Sequence, residues 1–297
     1  MKYAYFPGCV ALNSCRELDV ATREVAKDLG IGLVDLDQAA CCGAGNLQDA
    51  SPEAALAINA RTLSMAGSKG LDVLTVCGTC QLYLSRAAQV LEDPEARERT
   101  NGILARAGQG PYEGGVRVKH LLQVLLQEVG GRKLAASVRR PLGDLPVGAF
   151  YGCHLLRSPG AESFETPEEP TSIERLVGIL GGKPVSFDGR TACCGFHVLP
   201  ARQDLALRMS AAGLGEAQDA GAKVLATPCP LCHLVLDTYQ RKASRLAGRP
   251  IEIPILHLSQ IVGLALGIDP DRLGVKRHLV PVSPVIEELE DGEVVRP

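Results

Sequence analysis

Apolar positions along this chain follow two rhythms that alternate. Tyr3–Phe6 is a short, largely aromatic run closed by Pro7-Gly8, which predicts a strand. Arg16–Leu29 carries Leu18, Ala21, Val25 and Leu29 at helical spacing and then meets Gly30, which predicts a helix and its stop. Ile31–Leu36 reads as a second strand. Ser51-Pro52 is an N-cap followed by proline at the first helical position, and it opens a helix to about Ala66. Asp72–Val76 predicts a strand ending on Cys77, and Cys80 begins a helix through Val90. The order then returns, with strands at Val147–Tyr151, Pro184–Phe187 and Lys223–Thr227 and helices at Ile173–Leu180, Ala201–Ala212 and Cys232–Tyr239. Strand–helix alternation of this kind predicts an α/β fold of mostly parallel sheets covered by helices.

The cysteines show that the return is a duplication. Cys9 is followed after 31 residues by Cys41-Cys42-Gly43, and after 33 more by Cys77-Gly78-Thr79-Cys80. Cys153 is followed after 39 residues by Cys193-Cys194-Gly195, and again after 33 by Cys229-Pro230-Leu231-Cys232. Outside the cysteines, Phe6-Pro7-Gly8-Cys9 aligns with Phe150-Tyr151-Gly152-Cys153, and Val118-Lys119-His120-Leu121 with Ile255-Leu256-His257-Leu258. We therefore expect two homologous Rossmann-like halves, 1–140 and 146–265, related by a pseudo-twofold axis. The extra residues of the second half fall in Arg157–Pro170, which reads as a surface loop. Gly130–Pro146 reads as a linker. The stretch 266–297, with four prolines from Asp269 on and the acidic cluster Glu287–Asp291, reads as a loosely attached tail or a segment for docking a partner.

Every cysteine of the repeat falls in a turn at the carboxyl end of a strand, the edge where open α/β sheets bind ligands. The cysteine loops of the two halves are thus expected to converge near their interface. Composition sharpens this. With 46% hydrophobic and 22% charged residues and a net charge of −3, the 297-residue chain is an ordinary globular one without a nucleic-acid footprint. Its longest apolar run, Ile261–Ile268, is far short of the about 20 residues a membrane span needs. No signal-peptide pattern opens the sequence, so a cytoplasmic location is expected, where thiols stay reduced. Eleven cysteines, an odd number, then point to metal or redox chemistry rather than disulfides.

Each half offers one Cys-x-x-Cys pair at a helix start, one adjacent pair and one single cysteine. Zinc takes four ligands, often from two Cys-x-x-Cys knuckles, and adjacent cysteines chelate a single small ion poorly. They suit a wider target, so iron–sulfur clusters are the favoured reading, with zinc or redox-active disulfides as the alternatives. Spacing alone does not say whether all five thiols bind at once. Cys15 stands outside both sets and reads as a small semi-buried residue or a spare thiol. His154, His197 and His233 flank only the second set; Val10, Gly45 and Gln81 hold the equivalent places in the first. All three are candidate proton donors to a released thiolate. Arg157 could pair with an anionic substrate. His120 and His257 each begin the last helix of a half, and their duplication favours a structural role. No complete nucleotide-binding motif occurs, so electrons are expected from a partner protein.

The duplicated pattern resembles the cysteine-rich CCG domain family. Both complete sets, the Pro7-Gly8-Cys9 opening and the stretch from His257-Leu258-Ser259-Gln260 to Gly267 are most similar to the family of heterodisulfide reductase B subunits. That resemblance implies two noncubane [4Fe-4S] clusters, one on Cys9, Cys41, Cys42, Cys77 and Cys80, the other on Cys153, Cys193, Cys194, Cys229 and Cys232. It implies an oxidoreductase subunit acting on a disulfide or thiol, fed through a ferredoxin-like iron–sulfur subunit and a flavoprotein subunit. Relatives in succinate, lactate and glycolate oxidation leave another role open: passing electrons toward quinone, with peripheral membrane association through a partner.

Overall fold

In the computed structural model, which describes residues 1–157 and 164–294, eight strands form two separate four-stranded sheets. The first is ordered β2-β1-β3-β4 from β1 (Lys2–Phe6), β2 (Gly32–Asp35), β3 (Val73–Thr75) and β4 (Val118–His120). The second is ordered β6-β5-β7-β8 from β5 (Pro146–Ala149), β6 (Lys183–Val185), β7 (Val224–Thr227) and β8 (Ile255–His257). All six pairings are parallel, a stricter result than the mostly parallel sheets expected. The registers also repeat: Ala4 pairs with Val73 and Leu74 with Lys119, as Val147 pairs with Val224 and Ala226 with Leu256.

Burial explains which runs became strands. β1 and β7 are covered on both faces and are apolar almost throughout, as interior parallel strands must be. The Arg16–Leu29 helix buries Leu18, Ala21, Val25 and Leu29, and Gly30 at φ 70° ends it by donating to the Ala26 and Lys27 carbonyls. Ser51 caps the Pro52–Gly67 helix by accepting from Ala54 N. Helices at Pro94–Arg106 and Gln240–Ala247 were not read from the sequence; both are strongly polar and bury only a few positions, so few apolar residues mark them. The helix expected at Ala201–Ala212 runs instead over Gln203–Asp219.

Two connecting segments differ from expectation. Gly130–Pro146 is no free linker: it contains the helix Gly131–Ser137, buries Leu134, Leu142 and Leu145, and ties Arg139 N and Arg140 N to the Ala265 carbonyl. Nor is the C-terminal segment loose. Leu273, Val275, Val282, Val285 and Leu289 are buried in the main core, and both Asp237 carboxylate oxygens accept from the backbone of Leu279 and Val280. Part of the loop expected over Arg157–Pro170 and the last residues of the tail lie outside the described residues. Two apolar cores each draw on both halves, one from Tyr5 and Leu74 to Val147 and Leu256 and the other from Phe6 and Leu84 to Phe150 and Leu236, so the two sheets are held in fixed relation.

Candidate metal centres

The parallel topology sends every chain turn that follows a strand to the same edge, and there the ten paired cysteines gather. In the first half Cys9 Sγ is 3.4 Å from Cys41 Sγ, and Cys42 Sγ is 3.6 Å from Cys80 Sγ. The second set repeats the arrangement at Cys153, Cys193, Cys194, Cys229 and Cys232, which line one cavity. Gly8 and Gly152 hold the same place in each set. A Cβ on Gly8, at φ +83°, would lie 2.9 Å from Cys80 Sγ, and one on Gly152, at φ +66°, 2.8 Å from Cys232 Sγ. Both positions thus require glycine for conformation and for space.

The two sets adjoin. Cys77 Sγ lies 3.7 Å from Cys229 Sγ across the seam, and Gly78 N donates to the Pro228 carbonyl at 3.3 Å. The first set opens on a cavity of about 300 Å³ that the second half completes with Phe196, His197 and Leu231. The second opens on a much smaller space of about 20 Å³ that the first half completes with Thr79.

Crowding decides the charge of these thiols. Cys41 is pushed down to about 2 by hydrogen bonds from Cys42 and Cys9, and Cys193 down to about 2 by those from Cys153 and Cys194. The partners move the other way: Cys42 and Cys194 are pushed up to about 12, chiefly through their bonds to Cys41 and Cys193. The low thiols, Cys41 in the first set and Cys193 and Cys229 in the second, hold up their neighbours, and five thiolates in one set need several cationic centres between them. The donor set fits a multi-iron cluster for that reason: all-sulfur ligands, more than one ion can use, at a strand edge shaped by glycine.

Of the three candidate histidines, the structure brings two to the seam. His154 Nδ1 is 2.8 Å from Thr79 Oγ1, and its ring centroid lies 5.1 Å from that of His197. Burial pushes the His154 pKa below the ordinary value. His197 lines both cavities, and its Nδ1 would be 3.3 Å from a Cβ on Gly45, so the small residue in the first half makes room for the large one in the second. His233 is a correction. It sits on the Pro230–Thr238 helix next to Cys232, but its ring turns away from the sulfurs and stacks on His257 with centroids 4.0 Å apart. It lines neither cysteine cavity, so it is not placed to serve a reaction there. Arg157 is exposed beside Cys153, whose thiol is pushed up by its bond to Cys193 and by burial against the smaller opposing pull of Arg157. His120 caps its helix, with Nδ1 accepting from Leu122 N and Nε2 bonded to the Pro228 carbonyl. Thr79 went unnoticed in the sequence; the only hint was that the first Cys-x-x-Cys encloses Gly-Thr where the second encloses Pro-Leu.

Comparison with known proteins gives the same duplication. Residues 3–85 and 147–237 each match the family model described as cysteine-rich domain, CCG. The chain is 40% identical over 282 residues to the 8-methylmenaquinol:fumarate reductase membrane anchor subunit of Wolinella succinogenes, spanning 95% of this chain and 98% of that one. It is 33% identical over 283 residues to the B subunit of the ferredoxin/F(420)H(2)-dependent CoB-CoM heterodisulfide reductase of Methanosarcina acetivorans, spanning 94% of each. A crystal structure of a hypothetical protein from Helicobacter pylori superposes with a TM-score of 0.78 at 18% identity, over 95% of this chain and 52% of that one, and speaks for the fold alone.

Proposed function

Since this chain belongs to the cysteine-rich domain family, with the domain present twice, we propose that it is the iron–sulfur subunit of a heterodisulfide reductase-like complex. Its substrate on this reading is a disulfide, or in reverse a pair of thiols. The observation that carries it is the adjacency of two complete five-cysteine sets, 3.7 Å apart at Cys77 and Cys229. Cys9, Cys41, Cys42, Cys77 and Cys80 would hold one [4Fe-4S] cluster of the noncubane kind, and Cys153, Cys193, Cys194, Cys229 and Cys232 the other. When bound, each supplies storage for one electron, and two side by side match the two electrons of a disulfide bond.

Cleaving a disulfide takes two electrons and two protons and yields two thiols. The chain's own groups bear on the protons. His154, oriented by Thr79, and His197, shared by both cavities, are the side chains placed to hold a proton near a leaving sulfur. The larger cavity on the first set gives room for a small molecule. Electrons would come from partner subunits, a ferredoxin-like iron–sulfur protein and a flavoprotein, since neither sheet edge carries a nucleotide motif. Reduced thiols in this number fit a cytoplasmic setting.

A second reading is favoured by the 40% identity to a subunit whose name places it in a menaquinol:fumarate reductase as membrane anchor. Here the same clusters would pass electrons between quinone and a dehydrogenase. No described helix is long and apolar enough to cross a membrane, so docking would be peripheral, through surface or partner.

The test uses the anaerobically purified protein. About eight irons and eight acid-labile sulfides are expected if both sets hold four-iron clusters. Dithionite-reduced protein is then mixed with a low-molecular-weight disulfide or with a soluble menaquinone analogue. Reoxidation by the disulfide, with two thiols released per two electrons, supports the first reading. Reoxidation by the quinone alone moves the assignment to the second. Zinc without labile sulfide in both sets ends both.

A further inference from the structure

We propose that Cys15, Glu17, His233 and His257 together bind one zinc-type divalent cation in a closed structural site, apart from the ten cysteines of the two sets. The inference stands independently of the iron reading. All four residues are buried, and one ligand atom from each lies within 4.8 Å of every other. His257 Nε2 is 3.3 Å from Glu17 Oε1, and Cys15 Sγ is 3.9 Å from His233 Nδ1. A tetrahedron with zinc bonds of about 2.0–2.3 Å has edges of roughly 3.3–3.8 Å, so both spacings need at most a small contraction. One thiol, two imidazoles and one carboxylate is a donor set for zinc, whereas calcium and magnesium ask for oxygen throughout.

The surroundings hold these donors in the form a metal needs. His233 Nε2 is 2.6 Å from His278 Nδ1, and His278 Nε2 is 3.0 Å from Gln260 Oε1. Gln260 Nε2 donates to the Leu273 carbonyl and lies 2.9 Å from His278 Nε2 as well. When His278 Nε2 donates to Gln260 Oε1, His278 accepts at Nδ1 and His233 donates through Nε2, which turns the His233 Nδ1 lone pair toward Cys15. A bound cation selects this tautomer, that of a metal ligand with its other nitrogen anchored.

The pocket also differs from its repeat: the equivalent His120 engages Nε2 with the Pro228 carbonyl, whereas His257 turns Nε2 to the Glu17 carboxylate. Glu17 is a buried carboxylate with no Lys or Arg in ion-pair distance among the described residues; His257 and the Cys15 thiol face it. A neighbouring triad, His233, Asp237 and His278, is the weaker choice, because both Asp237 oxygens already accept from backbone N–H groups. The four donors come from the Arg16–Leu29 helix and its N-cap in the first half and from the Pro230–Thr238 helix and β8 of the second. The cation would thus clip the halves together beneath the docked C-terminal segment.

The test measures zinc and iron separately in full-length protein from zinc-supplemented cells. We expect about one zinc per chain beside the full iron complement. Zinc-edge X-ray absorption should show one sulfur and three nitrogen or oxygen neighbours. Cys15→Ser and His257→Gln should each lose the zinc and keep the iron. A four-sulfur zinc shell would mean that zinc occupies a cysteine set, and would overturn the proposal. So would full iron with no zinc, or zinc retained in both variants. The wild-type spectrum decides the matter even if a variant fails to fold.

Discussion

Gly8 and Gly152 show how much a cluster set depends on atoms that are missing. Each sits at positive φ with one sulfur where a Cβ would go. Gly8→Ala is expected to expel the first cluster and Gly152→Ala the second, each cutting iron by about half while far-UV circular dichroism stays unchanged. Left-handed strain alone costs on the order of 1–2 kcal/mol, and Gly70→Ala isolates it, because Gly70 has φ +65° with nothing within 4 Å. That control should keep all its iron; if it loses as much as Gly8→Ala, the close sulfur is not the cause. The need for glycine was visible in the aligned Gly8-Cys9 and Gly152-Cys153, but not its reason, which is a sulfur 72 or 80 positions away in sequence. His233 misled for a physical reason as well. Successive residues on a helix point about 100° apart, so a neighbour of Cys232 on the Pro230–Thr238 helix tends to face away from what Cys232 faces. His154 and His197 lie outside regular helices, and there adjacency placed them at the seam.

Elements were legible where burial is periodic, as in the Arg16–Leu29 helix, and in β1 to β3 and β5 to β7; they were illegible in the three-residue β4 and β8, in stretches where few positions are buried, and where proline breaks the rhythm. The C-terminal segment is the clearest case: its prolines and acids hide the spaced apolar residues that dock it. A polar network at the edge of the first sheet makes a prediction at this scale. Lys119 on β4 bonds Glu128 at 2.7 Å and Asp72 at 3.2 Å, Arg117 bonds Asp72 at 2.8 Å, and Tyr3 on β1 donates to Glu128. Burial pushes both carboxyls up, but the bonds from Arg117 and Lys119 to Asp72, and from Lys119 and Tyr3 to Glu128, outweigh it and hold both below the usual carboxylate range. Groups depressed in the folded state stabilise it above their unfolded values, near pH 4, and that stability is lost as pH falls through the folded values. Glu128→Gln should therefore lower stability on the order of 1 kcal/mol at neutral pH, the scale of a half-exposed charged hydrogen bond. It should also flatten the fall of Tm between about pH 5 and 3. A variant whose Tm falls with acid as steeply as wild type would show that Glu128 carries none of it.

At the scale of the whole molecule, the duplication gave the architecture away, because two equal sets on two like halves have to meet at one edge or serve two. What spacing could not show is that each half finishes the other's site. Thr79 makes this testable. It lies inside the first half's Cys77–Cys80 turn, yet its Oγ1 is 3.7 Å from Cys229 Sγ and 2.8 Å from His154 Nδ1, both of the second half. A liganding thiolate can only accept, so the hydroxyl proton goes to Cys229. The hydroxyl oxygen must then accept from His154 Nδ1–H, which leaves His154 Nε2 as the ring atom free for a substrate. Thr79→Val keeps the shape and removes both bonds. A sulfur that accepts a hydrogen bond tolerates added negative charge better, so its loss should lower the reduction potential of the cluster on the second set. The first set, though it encloses the mutated residue, should keep its potential, and iron content should not change. A redox titration followed by electron paramagnetic resonance, wild type against Thr79→Val, reads the two sets separately. A shift confined to the first set, or none in either, would mean that Thr79 acts within its own half and that the seam is no more than a packing surface.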